Sequence, residues 1–187
     1  KGEWVVCNPE DLKTFSLAGY FFGQKLQQTL SFPVGLIEAA WGGTPAEVWT
    51  PGETIANNAV LKKAADSLKE IPWGPIRPAA IYNAMIYPII DFAIAGVIWY
   101  QGEANVGAAS TYKELFSSMI TSWRTAWNKD FPFYFVQIAP FAGYGKSISG
   151  ALLQEAQTKT AALSNTVVIV INDIVDDIHD IHPKDKK

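Results

Sequence analysis

The stretch "AGVIWYQGEAN" (residues 95–105) decides how the rest of the chain is read. Its first half is a short apolar run of β-branched and aromatic residues without polar alternation, the pattern of a buried parallel strand. After Tyr100 it breaks into a polar loop around Gly102 that carries Gln101, Glu103 and Asn105. Working outward, "PVGLIEAAW" (33–41), "FPFYFVQIA" (131–139) and "NTVVIVIND" (165–173) repeat the same run-then-break pattern. Between these runs, apolar residues return every three or four positions over 15–29, 82–93, 110–127 and 150–163, which predicts helices. In 110–127 the residues Tyr112, Leu115, Phe116, Met119, Ile120, Trp123 and Trp127 fall on one face, and Lys113, Ser117 and Arg124 fall elsewhere. Ser110 and Ser16 stand where N-caps are expected.

Alternating α and β elements with buried strands predict an α/β fold, a three-layer α/β/α sandwich on a mostly parallel sheet. Ligands of such sheets bind beyond the carboxyl ends of the strands. That singles out "WGGTPAEVWTP", "YQGEANVG", "PFAGYGKS" and "DIVDDIHDIHP". Residues 52–80 read as an inserted excursion with one short helix and a Pro-rich return.

The chain has 187 residues, 49% hydrophobic and 18% charged, enough for one substantial core, and a single domain over 1–187 is expected. Net charge is −3, and the 15 Lys and Arg are scattered up to the final "KDKK", which argues against a nucleic-acid partner. The longest apolar segment is broken by Pro88, Asp91 and Gly96, which argues against a membrane span. The single cysteine, Cys7, has no second thiol to pair with and reads as a small core residue.

Both histidines, His179 and His182, lie in the last nine residues among Asp173, Asp176, Asp177 and Asp180. Three readings stand side by side: solvated loop residues, ligands of a metal, or the base of a hydrolytic triad oriented by an aspartate. Position favours the last, because the pair lies just past a strand end and faces loops able to form an oxyanion hole. Gly42 and Gly43 suit either a tight turn or close approach of a substrate to backbone N–H groups. Gln101, beside backbone donors, is a workable oxyanion-hole amide, and Glu103 either caps neighbouring N–H groups or serves that site.

Taken in order, "FSLAGYFFGQKL", "PVGLIEAAWGGTPAEVWTP", "IYNAMIYPIIDFAIAGVIWYQGEANV", "FPFYFVQIAPF" and "NDIVDDIHDIHPKDK" resemble the sialate O-acetylesterase family, carbohydrate esterases of the SGNH hydrolase superfamily. The resemblance covers nearly the whole chain and implies the flavodoxin-like SGNH fold. Its "IHP" histidine falls on His182, which it makes the general base, with Asp180 as the nearest acidic partner. Superfamily members often carry the acid three residues before the histidine, where this chain has His179, so Asp180, Asp177 and Asp176 all remain open as the orienting residue. The resemblance further implies an oxyanion-hole N–H from Gly43, a donor amide from Gln101, a bracing role for Glu103, and no cofactor.

The family nucleophile is a serine in a "GQSNM"-like segment, which does not occur in these residues; Ser16 reads as a cap. With Lys1 in place of an initiator Met, the serine and the first strand of the sheet are expected to lie upstream. The implied chemistry is two-step acyl transfer on an acetylated carbohydrate, sialic acid or another glycan, in a secreted or periplasmic protein. A chain lacking that strand is expected to associate with itself or with an N-terminal fragment of the same protein. Two other functions stand beside this one: a catalytically silent carbohydrate-binding or scaffolding piece, and a metal-dependent hydrolase centred on the Asp and His cluster. Trp41, Trp49, Trp99 and Tyr100 are candidates for stacking on a sugar ring.

Overall fold

The computed structural model describes residues 3–145 and 147–184. The chain divides into two compact units, one of residues 1–40 with 183–187 and one of residues 41–182. In the first unit, helix α1 (Leu17–Leu30) begins at Ser16, whose hydroxyl accepts the Gly19 N–H at 3.2 Å, the cap expected from sequence. It ends at Ser31, which turns left-handed at φ 58°. A side-chain carbon at Gly23 would stand 2.7 Å from Leu36 Cδ1, so this glycine lets residue 36 lie against the helix. Two expectations fail in this unit. Residues 33–40 form no strand, because apolar composition permits a strand but only a paired neighbour makes one, and no described residue pairs with them. Cys7 is exposed, not in a core.

The second unit opens with a buried 3-10 turn (Ala46–Trp49) and two short helices, α2 (Gly52–Ala56) and α3 (Ala59–Asp66), where one was expected. The Asn58 side chain caps α3 by accepting the N–H groups of Val60 and Leu61. The helix expected over 82–93 is instead a π turn (Tyr82–Ile86) followed by a 3-10 turn (Tyr87–Ile89). Pro88 explains this, since it has no N–H to give an α-helical bond and its ring crowds the preceding turn.

Strands β1 (Val97–Tyr100), β2 (Phe133–Val136) and β3 (Thr166–Ile169) form an open parallel sheet in the order β1-β2-β3, with Val97 opposite Phe133 and Phe133 opposite Thr166. Helices α4 (Ala109–Ala126) and α5 (Ser149–Thr160) make the two crossovers and pack on each other. Sequential strand order with right-handed crossovers places both helices on one face. There the predicted face of α4 is buried: Phe116 sits 6.0 Å from Trp99, 5.8 Å from Phe133 and 5.0 Å from Phe135, centroid to centroid. The mixed α/β class with a parallel sheet is as expected. The strands are not buried on both sides, however: Ile98, Tyr100, Val167 and Ile169 point away from the helices and are exposed.

Helix α4 starts at Ala109 without a side-chain cap, not at a Ser110 cap, because residues 103–108 already wind as a 3-10 turn into it. At its other end Arg124 has a largely buried side chain rather than a free polar one. It donates to the carbonyls of Phe131, Ser164 and Asn165 at 3.0, 2.9 and 2.8 Å and pairs with Asp130 at 3.1 Å, tying together the segments that enter β2 and β3.

Candidate active site

The loop entering the 3-10 turn at Ala46–Trp49 is held by its own side chains. The Thr44 hydroxyl donates to Trp41 O at 2.7 Å and accepts Trp49 Nε1 at 3.0 Å, while Trp123 Nε1 donates to Trp49 O at 3.0 Å. This fixes residues 41–49 beside the loop that follows β1. Gln101 then bridges the two: its Nε2 donates to Thr44 O at 3.1 Å and to Asn105 Oδ1 at 2.8 Å, and its Oε1 accepts the Tyr112 hydroxyl at 3.0 Å. Both amide hydrogens are therefore engaged. The Thr44 bond is the longer and more easily exchanged. Gly102 must be glycine because a side-chain carbon there would lie 2.6 Å from Ile138 Cγ2.

Behind Gln101 lies a buried polar network that the sequence reading did not identify. Asn105 Oδ1 also accepts the Ala46 N–H at 2.9 Å, and its Nδ2 donates to Glu47 Oε2 at 2.8 Å. Gln157 Nε2 donates to Gln101 O at 3.2 Å and its Oε1 accepts the Ile138 N–H at 2.9 Å. Glu47 is only 1% exposed and its Oε1 has no partner. Burial holds its carboxyl above the ordinary value of 4.5, against a smaller downward pull from Asn105. Burial also drives the Tyr112 phenol far up. "TPAE" supplies Glu47 and "EAN" supplies Asn105, 58 positions apart; only the folded chain shows that the two meet.

Gly43 has φ +72°, and a side-chain carbon there would stand 2.6 Å from Trp73 Nε1. Its carbonyl accepts that indole N–H at 3.1 Å, and its own N–H has no acceptor among the described residues. Of the four aromatics considered as stacking residues, Trp49 and Trp99 are buried and belong to the core, their rings perpendicular at 5.6 Å. Trp41 and Tyr100 are exposed. Burial first, and Glu103 second, push the Tyr100 phenol up to about 12. Glu103 also adds to a burial-driven rise at Tyr144, whose hydroxyl is enclosed without a partner, so the loops after β1 and β2 lie within each other's electrostatic reach.

The segment after β3 reaches the loop after β2 through Ala142 N–H donating to Ile178 O at 2.7 Å. In it, His182 Nδ1 lies 3.3 Å from Asp180 Oδ1, and the same oxygen accepts the His182 N–H at 2.9 Å. Asp177 Oδ1 accepts the backbone N–H of His179 at 2.8 Å. Of the three aspartates left open as the orienting residue, Asp180 is thus the one against the His182 ring. The imidazole is exposed, and no hydrogen bond among the described residues joins it to Gln101 or Gly43. The structure thus gathers Gly43, Gln101 and Asn105 in one cluster and His182 with Asp180 in another.

Comparison with known proteins gives the family of the chain. Residues 12–186 match the family described as "Carbohydrate esterase, sialic acid-specific acetylesterase". The sialate O-acetylesterase of Homo sapiens is 31% identical over 210 residues, covering 99% of this chain and 40% of the human protein. That of Mus musculus is 27% identical, covering 90% and 39%. The crystal structure of a carbohydrate acetylesterase from Xanthomonas citri superposes with a TM-score of 0.85 at 38% identity, over 100% of this chain and 41% of that one. The chain therefore spans about two-fifths of the length of these relatives. With nearly its whole length matched, it belongs to the sialic acid-specific acetylesterase family of carbohydrate esterases.

Proposed function

We propose that this chain supplies the base and the oxyanion-binding half of a serine O-acetylesterase acting on acetylated carbohydrates. The observation that carries the proposal is the His182–Asp180 contact at 3.3 Å, which engages Nδ1 and leaves Nε2 to take a proton. His182 deprotonates a serine that lies outside these residues. The serine attacks the acetyl carbonyl, and the developing oxyanion is met by Gly43 N–H and by the Gln101 amide, which releases Thr44 O to do so. The alkoxide of the sugar takes the proton from His182 and leaves. Water, deprotonated in turn by His182, then frees acetate and restores the serine. Glu103 braces the loop bearing Gln101. The reaction needs no cofactor, and sialic acid or another O-acetylated glycan is the substrate, met in a secretory or periplasmic compartment. The exposed sheet face at Ile98, Tyr100, Val167 and Ile169 supports a further part of the proposal: an N-terminal segment of the same protein covers it.

The test is acetate release from an O-acetylated sugar by the full-length protein. His182→Ala is expected to abolish it and His179→Ala to leave most of it. Equal losses, or a loss confined to His179→Ala, would assign the base wrongly.

A further inference from the structure

Trp41 and Trp73 are 45% and 58% exposed, although an indole gains from burial more than most side chains do. Neither is loose. Trp41 Nε1 donates to Trp73 O at 2.7 Å, and Trp73 Nε1 donates to Gly43 O at 3.1 Å, so both polar edges are turned inward and satisfied. Two glycines make the clasp possible. A side-chain carbon at Gly43 would stand 2.6 Å from Trp73 Nε1, and one at Gly74 would stand 2.8 Å from Thr44 Cγ2 and 3.0 Å from Trp41 Nε1. Residues 41–44 and 73–74 therefore interlock at a spacing that only a missing Cβ allows. What the two indoles leave to solvent is apolar ring surface, held in place before any ligand arrives. Through Gly43 and Thr44 this surface is continuous with the Gln101 bridge.

We propose that Trp41 and Trp73 form a rigid platform for the pyranose ring of the O-acetylated carbohydrate, seating the sugar so that its acetyl group reaches Gly43. The inference rests on the esterase reading above. A pyranose has one face of C–H groups that packs flat on an indole, and equatorial oxygens that stay in water. A pair of fixed aromatic rings with no free donors matches that surface and costs little ordering entropy on binding. The position, against the residue whose N–H is assigned to the oxyanion, suits the ring bearing the scissile ester.

The test uses the full-length protein and two substrates: a methyl pyranoside carrying one O-acetyl group, and ethyl acetate, which has no ring. The quantity read is the ratio of their kcat/KM values. Wild type is expected to favour the pyranoside, and Trp73→Leu and Trp41→Leu to lower the ratio about tenfold through KM for the sugar ester. Disturbance of Gly43 alone would slow both esters together and leave the ratio where it was. Trp73→Phe, which keeps a ring and loses the N–H, is expected to retain most of the ratio. A wild-type protein without preference, or a ratio unmoved in both Leu variants, overturns the platform while leaving the esterase reading intact. A wild type inert toward both esters overturns the two together. Protection of tryptophan fluorescence from acrylamide that grows with protein concentration and is lost in Trp73→Leu would make this face a contact between copies, and also overturns the platform.

Discussion

At the scale of single residues, the most consequential one is Glu47, a carboxyl almost without solvent access that touches one amide and leaves an oxygen unpaired. Its position is tolerable because it keeps its proton more readily than an exposed carboxyl. The sign of the consequence follows. The folded state binds this proton at higher pH than the unfolded chain, whose carboxyl titrates near 4.5, so stability is fullest below that value and declines as pH rises through the folded-state value. Glu47→Gln keeps an oxygen for Asn105 and removes the titration. Urea unfolding of the full-length protein across pH 4–8 is expected to show a shallower decline in the variant, and an unchanged pH dependence would mean that Glu47 is not the group responsible. Among the candidate site residues, His182, Asp180, Gly43 and Gln101 are proposed from short local patterns of sequence, and the structure sets Asp180 against the His182 ring and the Gln101 amide on Thr44 O. Glu47 meets Asn105, and Gln157 meets Gln101, only across 58 and 56 positions of sequence, and no local pattern announces either contact. Trp73 was overlooked for a different reason: it lies in the excursion read as having little structure, and its partner glycine is 30 positions away.

At the scale of elements, helices were legible wherever an apolar stripe could close against a neighbour. The α4 stripe is the clearest case: Tyr112, Leu115, Phe116, Met119, Ile120 and Trp123 are all buried as the 3.6-residue period requires, with only Trp127 left half-buried. Phe116 is the centre of this contact, meeting rings of β1, β2 and its own helix. Phe116→Ala is expected to cost about 3–5 kcal/mol, as large buried aromatics do when truncated, and to lower the thermal midpoint of the full-length protein accordingly. A loss below about 1 kcal/mol would show that the cluster closes over the gap. Strands were less legible, because a strand is a relation between segments. "NTVVIVIND" pairs with β2 over Thr166–Ile169, whereas "PVGLIEAAW", equally apolar, pairs with nothing described. Pro88 was noted in sequence as a break in an apolar run, yet its effect on the helix around it was underestimated.

At the scale of the whole molecule, the sheet brings three loops to one end and leaves one of its faces apolar and exposed. The central claim is that the chemistry is shared: the base and the oxyanion donors lie in these 187 residues and the nucleophile lies on another stretch of the same protein. The direct measurement is to react the full-length protein with a fluorophosphonate, which bonds covalently to an activated serine, and to locate the modified residue by peptide mass spectrometry. The account predicts a single labelled serine outside residues 1–187, with labelling lost in His182→Ala and kept in His179→Ala. Labelling of Ser16 or any other serine within the chain, or labelling that survives His182→Ala undiminished, would contradict it.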